Sequence, residues 1–275
     1  MMNISDPIQD FASLMRRGEA EFNLDEAALL LARTEYSDLN LPDQLRRLDA
    51  LALRLDCDPR RPALENIESM NEILFEQEQF RGNEEEYDDP RNSYLNDVLD
   101  RKLGIPISLS LIYIEVARRR NLPAMGVGFP GHFLVKYRAD FEEILVDPYN
   151  RGRRLTRQDC KELLKAQFGE EAQLKQEYFV ASTKKQILAR MLNNLKGSYL
   201  RRNNYTRTLT LIQLALLAEP ESSQQIHDRG MIYFLMRRYE EARADFNAYL
   251  RLTPRDDPQA AEVAQLLHRI RGMMN

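Results

Sequence analysis

Apolar positions recur at helical spacing through roughly the first hundred residues. Leu24, Ala28, Leu31 and Ala32 follow the pair Asn23 and Glu26, whose spacing predicts a capping box at a helix start. Pro42, in a first-turn position, predicts a second helix carrying Leu45, Leu48, Ala52 and Leu55 near one face. Pro62 opens a third, reaching to about Gln79. The acidic run from Glu84 to Asp89 reads as a solvated loop, and Asn92 or Ser93 as the cap of a short helix ending near Leu103. The pattern then changes. Ile107, Leu109, Leu111, Ile112, Ile114 and Val116 form a segment apolar on every side, closed by Arg118, Arg119 and Arg120. A helix of that kind is a buried one, and Gly104 and Pro106 suit a sharp N-terminus.

Two short stretches rich in β-branched and aromatic residues follow, HFLVKY (132–137) and ILVD (144–147). They read as strands, and their link is too short for a crossover, so they should pair as an antiparallel hairpin. The glycines of GVGFPG (126–131) spell G-x-G-x-x-G. With Pro130 inside and a strand rather than a helix behind, they read as a tight loop and not as a dinucleotide site. Beyond about residue 181 the chain repeats itself at an offset of 34 residues, with Tyr199 on Tyr233, Tyr205 on Tyr239 and Pro220 on Pro254. Gly230, Tyr233, Ala242, Phe246 and Pro254 keep the spacing of a tetratricopeptide repeat; the first copy, with Thr208 and Ile212, is degenerate. Residues 257–273 read as a capping helix over the last apolar face.

The near-balanced net charge of −4 hides an asymmetry. Residues 181–275 hold 15 Lys+Arg and 9 Asp+Glu, a net of +6, while residues 1–180 hold 24 and 34, a net of −10. The sign change suggests two units, 1–180 and 181–275. No strongly basic nucleic-acid module stands out, no segment has the ~20 apolar residues of a membrane span, and the start lacks a signal-peptide pattern. Cys57 and Cys160 are the only thiols, too few for a disulfide framework and without metal-ligand spacing, so a reduced, cytoplasmic protein without metal or cofactor is expected.

With a two-residue turn at Ala139 and Asp140, His132 would stand directly opposite Asp147, with Cβ atoms about 4.5–5.5 Å apart. The pair is then either the base-and-orienter half of a catalytic triad or a hydrogen-bonded histidine in a buried hairpin. No cysteine stands in the first turn of the buried helix to complete a triad. Ser108 and Ser110 carry hydroxyls there, though serines in an apolar helix commonly bond back to a carbonyl one turn earlier. Cys57 and Cys160 read as small buried or incidental thiols, and His227 and His268 form no ligand set.

The strings NSYLNDVLDRKLGIPISLSLIYIEVARR (92–119), GVGFPGHFLVKY (126–137) and LVDPYNRG (145–152) resemble the bacterial SirB-type family. In that family a transglutaminase-like core precedes tetratricopeptide repeats. The resemblance implies an α+β fold: a helical N-terminal region, a papain/transglutaminase-like core at about 90–160 with a small antiparallel sheet, and an all-α repeat domain. It carries the family histidine onto His132, the aspartate onto Asp147 and the nucleophilic cysteine onto Pro106, which has no nucleophile. The expectation is a degenerate, non-catalytic protein that binds a protein or peptide partner. The partner would meet Arg201, Arg202, Arg207, Arg237 and Arg238 on the concave face of the repeats, or the basic face would meet the chain's own acidic half. No nucleic-acid or membrane partner is expected. The alternative is an amide or ester hydrolase in which Ser108 or Ser110 works with His132 and Asp147.

Overall fold

In the computed structural model, which describes residues 6–139, 142–254 and 256–274, the N-terminal third is helical. α1 (Pro7–Met15), α2 (Leu24–Arg33), α3 (Leu41–Leu53) and α4 (Ala63–Asn71) follow one another, and α4 widens into a π-helical stretch over Glu72–Gln77. The Asp6 and Asn40 side chains accept early N–H groups of α1 and α3, whose first turns hold Pro7 and Pro42. At α2 the expected capping box does not form. Asn23 stands at the N-cap, but its side chain caps nothing, because Glu26 N donates instead to Asp25 Oδ1 at 2.8 Å.

Residues 84–88 are exposed, as a solvated loop should be, but Asp89 is buried and paired with Arg91 at 2.5 Å. α5 (Leu95–Arg101) starts after Tyr94, later than the predicted caps. Asn92 is occupied elsewhere: its Nδ2 donates to Glu86 O at 2.6 Å and Tyr87 O at 3.2 Å, closing the acidic loop.

Two-residue strands β1 (Arg81–Gly82) and β2 (Leu103–Gly104) pair in parallel just before α6 (Pro106–Arg119). α6 is the helix predicted to be buried, and Pro106 to Tyr113 and Glu115 to Ala117 are all buried. It packs against α2, α3 and α5, and also against β3 (Ala124–Val127) and β4 (Leu134–Ala139). With β5 (Glu142–Asp147) and β6 (Arg153–Leu155) these make an antiparallel sheet in the order β3-β4-β5-β6.

The β4–β5 hairpin is present as predicted, but its register differs. Val135 faces Val146 and Ala139 faces Glu142, so Asp147 lies level with Leu134, and His132 precedes the strand. Asp140, placed in the turn by the sequence reading, lies outside the described residues. β3 and β6 were not foreseen. Ala-Met-Gly-Val lacks a strand-like run of β-branched residues, and Arg-Arg-Leu is too short and charged to stand out. Gly126 therefore belongs to a strand rather than to the loop that follows it.

α7 (Arg157–Phe168), capped by Thr156 Oγ1, packs Cys160 and Leu164 with Val127, Leu134, Leu145 and Phe179. Burial pushes the Cys160 thiol up to about 11, which suits a filler of the core and not a nucleophile.

The chain divides into compact units of residues 1–191 and 192–275. The division falls inside α8 (Lys184–Arg201), later than the change of charge near residue 180. The second unit continues through α9 (Tyr205–Ala218), α10 (Ser223–Leu235), α11 (Tyr239–Leu252) and α12 (Pro258–Met274). A Cβ on Gly230 would fall 2.8 Å from the Phe246 ring, so this glycine lets α10 and α11 approach closely. Ala242, Phe246 and Tyr249 fill the space between helices, and Val263, Leu267 and Ile270 of α12 cover them.

A buried charge cluster ties α2 to α6. Asp25 and Glu115 are each 1% exposed. Arg119 reaches Asp25 at 2.6 Å and Glu115 at 3.3 Å, while Arg118 reaches Glu115 at 2.7 Å. Burial, then the neighbouring Asp25 carboxylate, pushes Glu115 up to about 7 against the pull of Arg118. The folded chain thus holds this proton more tightly than the unfolded chain, where the group titrates near 4.5. Its contribution to stability is full below pH 4.5 and is lost as the pH rises to about 7. The urea stability of the wild type minus that of Glu115→Gln should fall across that window and stay level on either side; a difference independent of pH would show that folding leaves the Glu115 carboxyl unshifted.

Candidate active site

The turn between β3 and β4 carries His132 to the sheet, and the end of β5 carries Asp147. His132 N donates to Phe129 O at 3.0 Å, and Gly131, at φ +68°, takes the left-handed conformation that lets the chain reverse. Nε2 of His132 lies 2.9 Å from Oδ1 of Asp147. The approach is out of line for a hydrogen bond, and among the described residues Nε2, although buried, has no other partner.

Asp147 has a second role. As N-cap of the short 3₁₀ turn Pro148–Asn150, its Oδ1 accepts from Tyr149 N at 3.1 Å and Asn150 N at 3.3 Å, and its Oδ2 from Asn150 Nδ2 at 2.7 Å. The carboxylate is 1% exposed, the His132 side chain 13%. The pair expected from the sequence is thus brought together, but diagonally across the register and around a carboxylate that backbone donors already hold.

Tyr149 presents its ring edge-on to His132, centroids 5.9 Å apart. It sits against Gly82, where a Cβ would fall 2.4 Å from the ring. Burial, then the nearby Glu84, Tyr87 and Asp147, pushes the Tyr149 hydroxyl up to about 12, so it stays a donor at neutral pH. Arg190 of α8 donates from Nη2 to His132 O at 2.6 Å and Phe129 O at 3.2 Å, and lies over the Phe133 ring. Sequence reasoning missed Gly82, Tyr149 and Arg190. They are far apart in the chain and match no spacing motif, although Tyr149 lies inside the quoted string LVDPYNRG.

Pro106 is the first residue of α6, buried behind β2. Neither serine of that helix bonds to His132. Ser108 Oγ accepts from Ile105 N at 3.0 Å and bonds to Asn92 O at 2.6 Å and Ile105 O at 3.1 Å. It serves as the missing cap of α6. Ser110 Oγ reaches only Phe133 O, at 3.4 Å. The serine-hydrolase alternative lacks the base contact it requires, because backbone carbonyls hold both hydroxyls.

Two cavities flank the site, one of about 480 Å³ beside Arg81, Tyr149 and Arg151, the other of about 220 Å³ beneath Asp147 and Asp159. His132 lines neither. Among the described residues no group of His, Cys, Asp and Glu suits a metal ion, and no helix is long and apolar enough to cross a membrane.

The basic residues of the second unit cluster at helix ends and turns. Arg201 ends α8 and Arg202 begins the turn after it, and Arg237 and Arg238 lie in the turn between α10 and α11, with Arg237 at φ +59°. All four are exposed. Arg238 is held by Glu241 at 2.7 Å. Arg207 lies in the first turn of α9.

Residues 42–193 match the transglutaminase-like superfamily, and residues 195–268 match a tetratricopeptide repeat. A UPF0162 protein of Xylella fastidiosa is 37% identical, with 84% of each chain covered. A UPF0162 protein of Vibrio cholerae is 28% identical over 93% of this chain and 92% of its own. Human F-box only protein 21 is 31% identical over 61% of this chain and 28% of that protein. A crystal structure of menin covers 96% of this chain and 74% of its own at 10% identity, with a TM-score of 0.44.

Because Asp147 caps the 3₁₀ turn while its contact with His132 is out of line, the two side chains should matter unequally. Asp147→Ala should lower stability in urea by about 1–3 kcal/mol, through donors left unpaired, and His132→Ala by less than about 1 kcal/mol. Equal losses would show that the His132–Asp147 contact is the main one.

Proposed function

The chain belongs to the transglutaminase-like superfamily, with tetratricopeptide repeats behind that domain, and from this we propose that it is a non-catalytic member that binds a protein or peptide partner. Pro106 carries this reading. The resemblance sets the nucleophilic cysteine at the start of α6, where a thiolate would profit from the helix N-terminus. Proline there offers neither a nucleophile nor a backbone N–H. Cys160 is buried in the core and Cys57 lies beyond α3, so neither replaces it. The His132–Asp147 pair is then a remnant of a triad, retained with Asp147 in a structural role. The SirB-type kinship and a cytoplasmic setting, in which both thiols stay reduced, belong to the same proposal.

For the partner, tetratricopeptide repeats are generally protein-interaction modules. Arg202, in the turn after α8, and Arg237, in the turn after α10, are exposed and suit an acidic peptide. The chain's own acidic half is the other occupant this reading allows.

The deciding experiment is an assay of purified protein for amide hydrolysis and amine incorporation with a broad glutamine-peptide library. No turnover above background is expected; turnover that disappears in His132→Ala would overturn the proposal. A capped oligoglutamate peptide serves as probe for the basic turns. Arg202→Glu with Arg237→Glu should weaken its binding roughly three- to tenfold, as exposed ion pairs do, and the effect should shrink with added salt. Unchanged affinity would place the acidic ligand elsewhere.

A further inference from the structure

The first turn of α2 is held by a side chain that also belongs to α6's surroundings. Asn23, at the N-cap, caps nothing. Asp25 serves instead: its Oδ1 accepts from Glu26 N at 2.8 Å, while its Oδ2 accepts from Arg119 Nη2 at 2.6 Å. The start of the helix is therefore fastened to α6 rather than closed by a cap of its own. Glu115 is buried as deeply as Asp25, and the two carboxyl groups hydrogen-bond to one another. Two carboxyls in such contact, closed off from water, keep one proton between them.

The charges around the pair balance only while that proton stays. From α6 come Arg118 and Arg119, from α2 Asp25, and from α3 Asp49, which Arg119 Nε reaches at 2.6 Å. With Glu115 protonated, two cations face two carboxylates. Once the proton leaves, a third carboxylate enters, and Arg119 is already shared among Asp25, Asp49 and the Glu115 carbonyl. A buried charge without its own partner is costly and draws water. A cavity of about 500 Å³ reaches Glu115, walled by Leu24 of α2, Ile114 of α6, Met125 of β3 and Ile187 of α8. The other charged groups on it are engaged with each other: the Glu19 carboxylate accepts from Lys184 N and Lys185 N, and Lys184 Nζ donates to Glu19 O. β3 brings no titratable side chain to it. Water thus has a way to Glu115, and Leu24, next to Asp25 in the chain, forms part of the wall.

We propose that the proton shared by Asp25 and Glu115 is a latch: while it is held, the first turn of α2 is fixed on α6, and when it is lost that turn lifts and admits water from the cavity. Glu115 keeps its proton in the folded chain up to about 7, against 4.5 once exposed. The closed turn is therefore firmest below pH 4.5 and loses its advantage as the pH rises to about 7, so mild acidification fastens the latch and neutral pH loosens it. The release is local to α2. It lies within residues 1–191 and depends neither on the repeats nor on the chemistry at His132.

The test is amide exchange in the full chain at about pH 5 and about pH 7.5, expressed as protection factors so that the intrinsic effect of pH is removed. Protection at Ala27, whose N–H donates to Asn23 O, and at Ala28 should fall on the order of tenfold or more between the two. At both pH values it should lie below the protection of the β4 amides, which exchange through wider unfolding. In Glu115→Gln, whose side chain is neutral at every pH, the fall should vanish. The proposal is overturned if α2 is as well protected as β4 throughout, if wild-type protection does not change with pH, or if the same fall persists in a folded Glu115→Gln. The wild-type series needs no variant. Should Glu115→Gln fail to fold, Asp25→Asn removes the second carboxylate and should shrink the fall; an undiminished fall there overturns the proposal as well.

Discussion

Almost every side chain of α6 must be kept from water, and the first unit is arranged around that requirement. Helices α2, α3 and α5 cover part of the helix, and β3 and β4 cover another part. Its start is fixed by very little. Pro106 needs no amide partner, and one hydroxyl, on Ser108, serves Ile105 N while bonding to the carbonyls of Asn92 and Ile105. Asn92 in turn closes the acidic loop. The position of α6 sets the sheet, and the sheet sets the distance between His132 and Asp147.

Two carboxyl groups are enclosed at the far end of α6, those of Glu115 and of Asp25 from α2, and they are held with Arg118 and Arg119. Such a cluster contributes less to net stability than to register, because desolvation opposes the pairing. It pins the helix end that the apolar residues alone would leave free to slide.

Most elements with a strong local pattern could be read from the chain. Uniform apolarity identified α6, the β-branched and aromatic runs identified β4 and β5, and the 34-residue repeat identified α10 and α11. What could not be read depends on contacts distant in sequence. Asn23 lost its capping role to a neighbouring aspartate, β6 is stabilised by β5 rather than by its own composition, and the hairpin register shifted by two positions. The pairing of His132 with Asp147 was anticipated from a turn that does not occur. The two meet because the histidine sits before the strand, where the chain bends back toward the end of β5. The site is therefore legible in which residues it uses, and illegible in how they approach. Tyr149, edge-on to the imidazole, and Arg190, bonded to the His132 carbonyl, show only once the chain is folded.

Gly82 has a further consequence. Tyr149 fills the space a Cβ would need at Gly82, and the same ring borders His132 edge-on. The three positions are far apart along the chain and adjacent in space. Over evolutionary time they are bound to one another: a side chain gained at position 82 displaces the ring, and a displaced ring changes what surrounds the imidazole. Descendants of this sequence are thus constrained to keep a glycine in a two-residue strand that performs no chemistry, for as long as the tyrosine stays. A loss at 149 would release 82 and 132 together.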